Sequence, residues 1–124
     1  MKRKTLDKKT VKEIISIYSD AWINQDSKKI ISIFTPDAVY HENVLEKPYV
    51  CHKEIKQYWK EKIVKKEKNI DFKLLNIYID GYVAIVEWEA NFLYKGKKIL
   101  MREVVILEIE GNKIKSLREY WHSK

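Results

Sequence analysis

The three glycines of the chain, Gly81, Gly96 and Gly111, are evenly spaced, and each sits in a short polar turn: "DG", "KGK" and "EGN". Glycine reaches the positive φ that tight hairpin turns demand. Around these turns lie four stretches rich in β-branched and aromatic residues: "IDFKLLNIYI", "YVAIVEWEANFLY", "KILMREVVILEI" and "KIKSLREYWH". This punctuation predicts a four-stranded antiparallel meander of long strands. Strand parity then sorts the side chains. Ala84, Val86, Trp88, Ala90 and Phe92 share a face. A two-residue turn at Lys95-Gly96 sets Phe92 opposite Ile99, Ala90 opposite Met101 and Trp88 opposite Glu103. That face continues through Val105, Leu107 and Ile109, apolar apart from Glu103. The other face pairs Glu89 with Arg102, a cross-strand ion pair.

A carboxylate in an apolar wall needs a partner or a raised pKa. Glu103 is therefore a candidate for chemistry, with contact with water at an open sheet end as the bland alternative. The last strand has two readings. A two-residue turn puts Arg118 and Tyr120 on the Glu103 face. A bulge at Gly111 or beyond puts Leu117, Glu119 and Trp121 there, because a one-residue slip exchanges the faces.

The first half of the chain is mainly helical. In "TVKEIISIYSDAWINQ", Val11, Ile14, Ile15, Tyr18 and Trp22 recur at helical spacing, and Thr10 with Glu13 reads as a capping box. Asp26 is placed to cap a short second helix with Ile30, Ile31 and Phe34 facing inward, and Thr35-Pro36-Asp37 is expected to break it. "AVYHE" has strand character, with Ala38, Tyr40 and Glu42 on one side. "HKEIKQYWKEKIV" reads as a third helix with Ile55, Tyr58, Trp59 and Ile63 as its buried stripe. The order α-α-β-α-β-β-β-β argues an α+β fold, a curved antiparallel sheet with helices on one face. At 124 residues and 45% apolar content, one domain over 1–124 is expected.

The formal net charge of +7 is spread from Lys2 to Lys124 and interleaved with acids, as in "KEKIVKKEKN". Such a pattern describes a solvated face, and no nucleic-acid-binding signature accompanies it. Cys51 is the only cysteine, so no intrachain disulfide forms and a reducing compartment is expected. "MKRK" opens like a signal peptide, but "TLDKKTVKE" follows where an apolar stretch belongs. No segment reaches the length of a membrane span. The expected location is the cytoplasm. His41 is out of phase with Tyr40 and Glu42, His122 lies near the chain end, and no histidine or cysteine spacing suits a metal, so none is expected. Cys51 reads as a buried or half-buried thiol.

The first helix running into "NQD", then "IFTPDAVYHE", "KPYVCHKEIKQYW", "VEWEANF" and the terminal "REYWH" together resemble the nuclear transport factor 2-like superfamily, in particular its SnoaL-like members. The resemblance covers nearly the whole chain. It implies a cone, a bent cystatin-like sheet wrapped around the first and third helices with an apolar pocket inside. It also implies a homodimer through the outer sheet face. Ketosteroid isomerase belongs to this superfamily, and its early segment aligns without gaps. Its general-base aspartate falls on Glu42, its oxyanion-donor tyrosine on Tyr18 and its second oxyanion donor on Val105. Cys51 stands where a glycine usually precedes the third helix. The expected catalytic residues are thus Glu42 as base, Tyr18 as donor and Glu103 as a second acid or base. Trp22, Tyr40, Tyr58, Trp59, Trp88, Phe92, Val105, Tyr120 and Trp121 are expected to line the ligand site. The expectation is a small-molecule pocket for an apolar or aromatic ligand, with cofactor-free proton transfer of the isomerase, cyclase or dehydratase type. Its rival is a non-catalytic module that binds a ligand or a protein partner.

Overall fold

The computed structural model describes residues 5–124; the basic opening "MKRK" lies outside the described residues. Helix α1 (Lys8–Ile23) buries Val11, Ile14, Ile15, Tyr18, Ala21 and Trp22. Its cap is Asp7, whose Oδ1 accepts from the Thr10 amide at 2.8 Å. The capping box expected at Thr10 therefore gives way to an aspartate three residues earlier, a stronger N-cap that leaves Thr10 inside the first turn. Helix α2 (Ser27–Ile31) is capped by Asp26, which accepts from the amides of Lys28 and Lys29.

Strand β1 (Phe34–His41) starts earlier than expected and runs through Thr35-Pro36-Asp37. Proline is tolerated because the pairing register with the last strand shifts between Phe34 and Val39, so no regular ladder needs its missing N–H. A two-residue strand β2 (Tyr49–Val50) leads into α3 (Cys51–Tyr58). This helix continues as a π-helical turn, Trp59–Val64. Cys51 has φ +69°, a left-handed conformation that glycine adopts at no cost. The chain thus keeps the backbone geometry that the resemblance implied there, although the residue is cysteine. Cys51 is exposed, not buried or half-buried as expected: it lies ahead of the Ile55, Tyr58, Trp59 and Ile63 stripe that packs inward.

The meander follows: β3 (Glu67–Asp80), β4 (Val83–Tyr94), β5 (Lys97–Glu110) and β6 (Lys113–Ser123). The sheet order is β2-β1-β6-β5-β4-β3, antiparallel except for the β1–β6 pair. It is a curved, unclosed sheet with the N-terminal helices against one face. The β4–β5 register is the one that the Lys95-Gly96 turn predicts, with Phe92 opposite Ile99, Ala90 opposite Met101 and Trp88 opposite Glu103. Both turn residues have positive φ, 50° and 85°, as a two-residue hairpin of this hand requires.

The β5–β6 hairpin resolves the last strand. Ile109 faces Ile114, but Glu108 faces Ser116, so Lys115 is an extra residue that exchanges the faces of β6. Leu117, Glu119 and Trp121 consequently join the Glu103 side. Tyr120 pairs with Val104 on the outer face and is 45% exposed, so the structure removes it from the expected pocket wall.

The inner face and the helices share one core of buried side chains, in which Trp88 is fully enclosed. Its ring lies 5.0 Å from that of Tyr18 and 5.3 Å from that of Phe72. Replacing so large a buried ring leaves a cavity that the rigid sheet cannot close. Trp88→Ala is expected to cost about 3–5 kcal/mol in chemical denaturation. A loss below about 1 kcal/mol would mean that the ring does not bridge helix and sheet.

Candidate functional site

A cavity of about 300 Å³ opens between α1, the π-helical turn and the inner face of β4, β5 and β6. Helix α1 contributes Tyr18 and Trp22, one turn apart on its buried stripe. Tyr58 ends α3, while Trp59, Lys62 and Ile63 come from the π-helical turn. Phe92, Met101 and Trp121 add apolar wall from three neighbouring strands. The walls are thus mainly aromatic, and their curvature comes from the sheet.

Three carboxyl groups reach into this apolar space: Glu67 at the start of β3, Glu103 on β5 and Glu119 on β6. They are 7%, 4% and 9% exposed. The bulge at Lys115 sets Glu119 on the same face as Glu103, and the two carboxyl groups come within hydrogen-bonding reach. The Tyr40 hydroxyl donates to Glu119 Oε1, and the Tyr18 hydroxyl lies 3.5 Å from that of Tyr40. A chain of polar groups therefore runs from Tyr18 through Tyr40 to the carboxyl pair, with apolar side chains on all sides.

Burial dominates the electrostatics. It raises Glu103 well above an ordinary glutamate, and the facing Glu119 raises it further. Burial also pushes Glu119 up, to about 7, against the Tyr40 and Glu103 hydrogen bonds that favour its charged form. Two facing carboxyls in so apolar a setting resist ionising together, and the larger upward shift falls on Glu103. Glu67 is likewise pushed up to about 7 by burial, opposed by the Trp22 indole N–H, which donates to its Oε1 at 2.9 Å, and by the charge of Lys62. Burial raises the phenols of Tyr18 and Tyr40 well above 10 as well, so both act as hydroxyl donors. The Trp88 indole N–H has no hydrogen bond of ordinary geometry, although it lies near enough to Glu103 to favour the charged form slightly.

The expected residues separate into four groups. Tyr18, Trp22, Tyr58, Trp59, Phe92, Glu103 and Trp121 line the cavity. Glu42 reaches its rim, but not as an isolated base: its Oε1 forms an ion pair with Lys62 Nζ at 2.5 Å. Tyr40 and Trp88 are fully buried behind the wall, and Val105 is enclosed in the core without lining the cavity. Val105 is thus no binding residue in this geometry, because β5 has turned it beneath the helices. Tyr120 faces outward, and His41 contributes to a separate surface depression.

Two acids escaped the sequence reading. Glu119 belonged to the alternative register of the last strand, and nothing in the sequence ranked that register first. Glu67 lies in "KKEKN", which reads as a solvated charge run; the strand begins there, ahead of the alternating segment, and turns this one glutamate inward. Among the described residues no group of three or more histidine, cysteine, aspartate or glutamate side chains is arranged to hold a metal ion. Nor is any helix among them long and apolar enough to cross a membrane.

The sequence profile of the SnoaL-like domain matches residues 15–117. The chain belongs to the SnoaL-like family. Solved structures agree on the fold of this SnoaL-like chain. A nuclear transport factor 2-like protein from Anabaena variabilis superposes with a TM-score of 0.82 at 18% identity, over 94% of this chain and 89% of that one. SalBIII, an epoxide hydrolase/cyclase-like enzyme with a role in pyran ring formation in the polyether salinomycin, gives 0.78 at 19% identity over 94% and 93%. A hypothetical protein from Catenulispora acidiphila with a ketosteroid isomerase-like fold, in complex with trimethylamine, gives 0.77 at 19% identity over 87% and 84%. At these identities the likeness is one of fold. No curated protein sequence matches significantly.

The raised carboxyls carry a consequence for stability. Their folded pKa lies above the unfolded one, so the folded state binds more protons between about 4.5 and 7. Their favourable contribution is complete below about 4.5 and is lost as pH rises to about 7, at a cost on the order of 3 kcal/mol for each of Glu67 and Glu119. The protein is expected to melt higher at pH 5 than at pH 8, and Glu119→Gln should flatten that slope. A melting temperature that rises over this interval would contradict the burial of these groups.

Proposed function

We propose that this SnoaL-like chain binds a small apolar or aromatic molecule in the aromatic cavity and transfers protons on it without a cofactor. The observation that carries the reading is the Glu103–Glu119 pair, two buried carboxyl groups within hydrogen-bonding reach at the inner wall. One member is an acid and the other a base at the same pH, which is what concerted proton transfer needs. Glu119 takes a proton from a C–H or O–H of the substrate. Glu103 gives its proton to the oxygen that gains charge, a carbonyl or a departing oxygen. The hydrogen bond between the two carboxyls then carries the proton back and restores the pair. Tyr40 fixes Glu119, and Tyr18 supplies a hydroxyl at the same wall. This scheme suits isomerisation, cyclisation or dehydration. The fold-level likeness to an epoxide hydrolase/cyclase-like enzyme agrees with acid–base work in such a cone. Glu42, held by Lys62, is a rim residue in this reading.

The test needs no natural substrate. 2-Indanone is a small aromatic ketone with acidic α-hydrogens. In deuterium oxide, the protein should speed their exchange, followed by NMR, and Glu119→Gln should lower the protein-catalysed rate by about 10²–10⁴-fold. The rate should climb with pH towards about 7 as Glu119 ionises. If 2-indanone shifts cavity resonances but exchanges no faster than in buffer, the chain is a binding module and not a catalyst.

A second copy of the chain is proposed on the outer sheet face. Tyr78, Ile85 and Tyr120 are exposed there, and Arg102 pairs with Glu89 and Glu87 beside them. An apolar patch rimmed by paired charges suits a self-complementary interface. Light scattering at about 50 µM, a concentration chosen to populate a specific interface, should give a dimer mass; a monomer mass would reject it.

A further inference from the structure

Glu67 is a buried carboxyl in the cavity that the proton-transfer pair leaves unused. The other acids there are compensated. Glu42 has Lys62 at 2.5 Å, and Glu119 has Tyr40 and Glu103. Glu67 has less. Its Oε1 accepts from Trp22 Nε1 at 2.9 Å, and its backbone carbonyl accepts from Gln25. Among the described residues, its second carboxyl oxygen receives no hydrogen bond and no cation pairs with it. Yet the side chain is only 7% exposed and lines the cavity. Lys62, the one lysine or arginine on the cavity wall among the described residues, is already engaged by Glu42. Trp22 contacts Glu67 directly, and the cavity they share is also lined by the rings of Tyr58, Trp59 and Phe92.

A carboxylate buried without a counter-charge is unfavourable. A neutral ligand would leave it so, and an anionic ligand would make it worse. An ammonium group supplies a charge and several N–H donors to the free oxygen, and the ring faces attract cations in their own right. We propose that Glu67 anchors an ammonium group, so that the ligand of this cavity is an amine with an apolar or aromatic body. The inference rests on the small-molecule reading of the cavity and assigns the ligand class. The amine end sits against Glu67, and the apolar body extends over the aromatic wall towards Glu103 and Glu119.

Calorimetry on the whole chain tests this with phenethylamine and its neutral counterpart phenethyl alcohol. At pH 8 the amine should bind at least about tenfold more tightly. Glu67→Gln should reduce that preference to about twofold or less and leave the alcohol unchanged. The variant amide oxygen can still accept from Trp22, which preserves the local packing. A second measurement uses the unaltered protein. The preference should grow from pH 6 to pH 8, because Glu67 ionises near 7 while an alkyl ammonium stays charged. Lys62, Glu42, Glu103, Glu119 and the phenols of Tyr18, Tyr58 and Tyr94 face the same space, so the pH response assigned to Glu67 is the part that Glu67→Gln removes. Equal binding of amine and alcohol would overturn the amine assignment and leave the pocket reading standing. A preference that survives Glu67→Gln would overturn the role of Glu67. Failure of both probes to bind at millimolar concentration would reject the amine assignment and the pocket together.

Discussion

Helices α1 and α3 each carry one apolar stripe, and the inner face of the sheet, the meander for α1 and β1 for α3, is the surface that covers both. Everything else follows from which side chains that face presents. In β4 and β5 the glycine turns settle the matter. In β6 one extra residue, Lys115, decides it: the strand crosses the bulge and presents Leu117 and Glu119 inward. Without that residue the inner wall would hold Arg118 and Tyr120, and the carboxyl pair would not exist. A local irregularity of the ladder therefore creates the carboxyl pair, in keeping with the tendency of bulges to re-aim side chains.

The cavity is an electrostatically unfavourable place for acids. Three glutamates are held in a wall that is otherwise aromatic and aliphatic, each with its charged form disfavoured by burial. Folding tolerates this because Glu103 and Glu119 face each other within hydrogen-bonding reach, Tyr40 donates a hydrogen bond to Glu119 and Trp22 donates one to Glu67. Keeping these carboxyls buried costs stability as pH rises, a cost commonly met where a wall serves chemistry or binding.

The charge of the chain runs the other way outside. The net formal charge is +7, yet among the described residues the cavity wall carries four glutamates and one lysine. The surface and the cavity thus present opposite charge environments, and the amine ligand proposed above suits the acidic, ring-lined one. The rim pair of Glu42 and Lys62 marks the boundary between the two environments.

Much of the fold was legible in the chain. The even glycines give the meander, the turn at Lys95-Gly96 gives the β4–β5 register, and the apolar spacing gives the buried stripes of α1 and α3. These features depend on local backbone geometry and on periodicity, which a sequence states directly. Glu103 in its apolar wall follows from the same reasoning, while the SnoaL-like resemblance rests on the order of motifs such as "IFTPDAVYHE" and "REYWH". The tertiary structure alone decided the rest. The face of β6 depended on where an extra residue is absorbed, and a one-residue choice leaves no mark in composition. Glu67 reads as one charge in a solvated run until the start of β3 turns it beneath Trp22. Glu42 reads as the base until Lys62, brought by the π-helical turn, takes its charge. Each of these depends on neighbours distant in sequence. The burial that raises a carboxyl pKa is a property of the assembled wall and not of the glutamate.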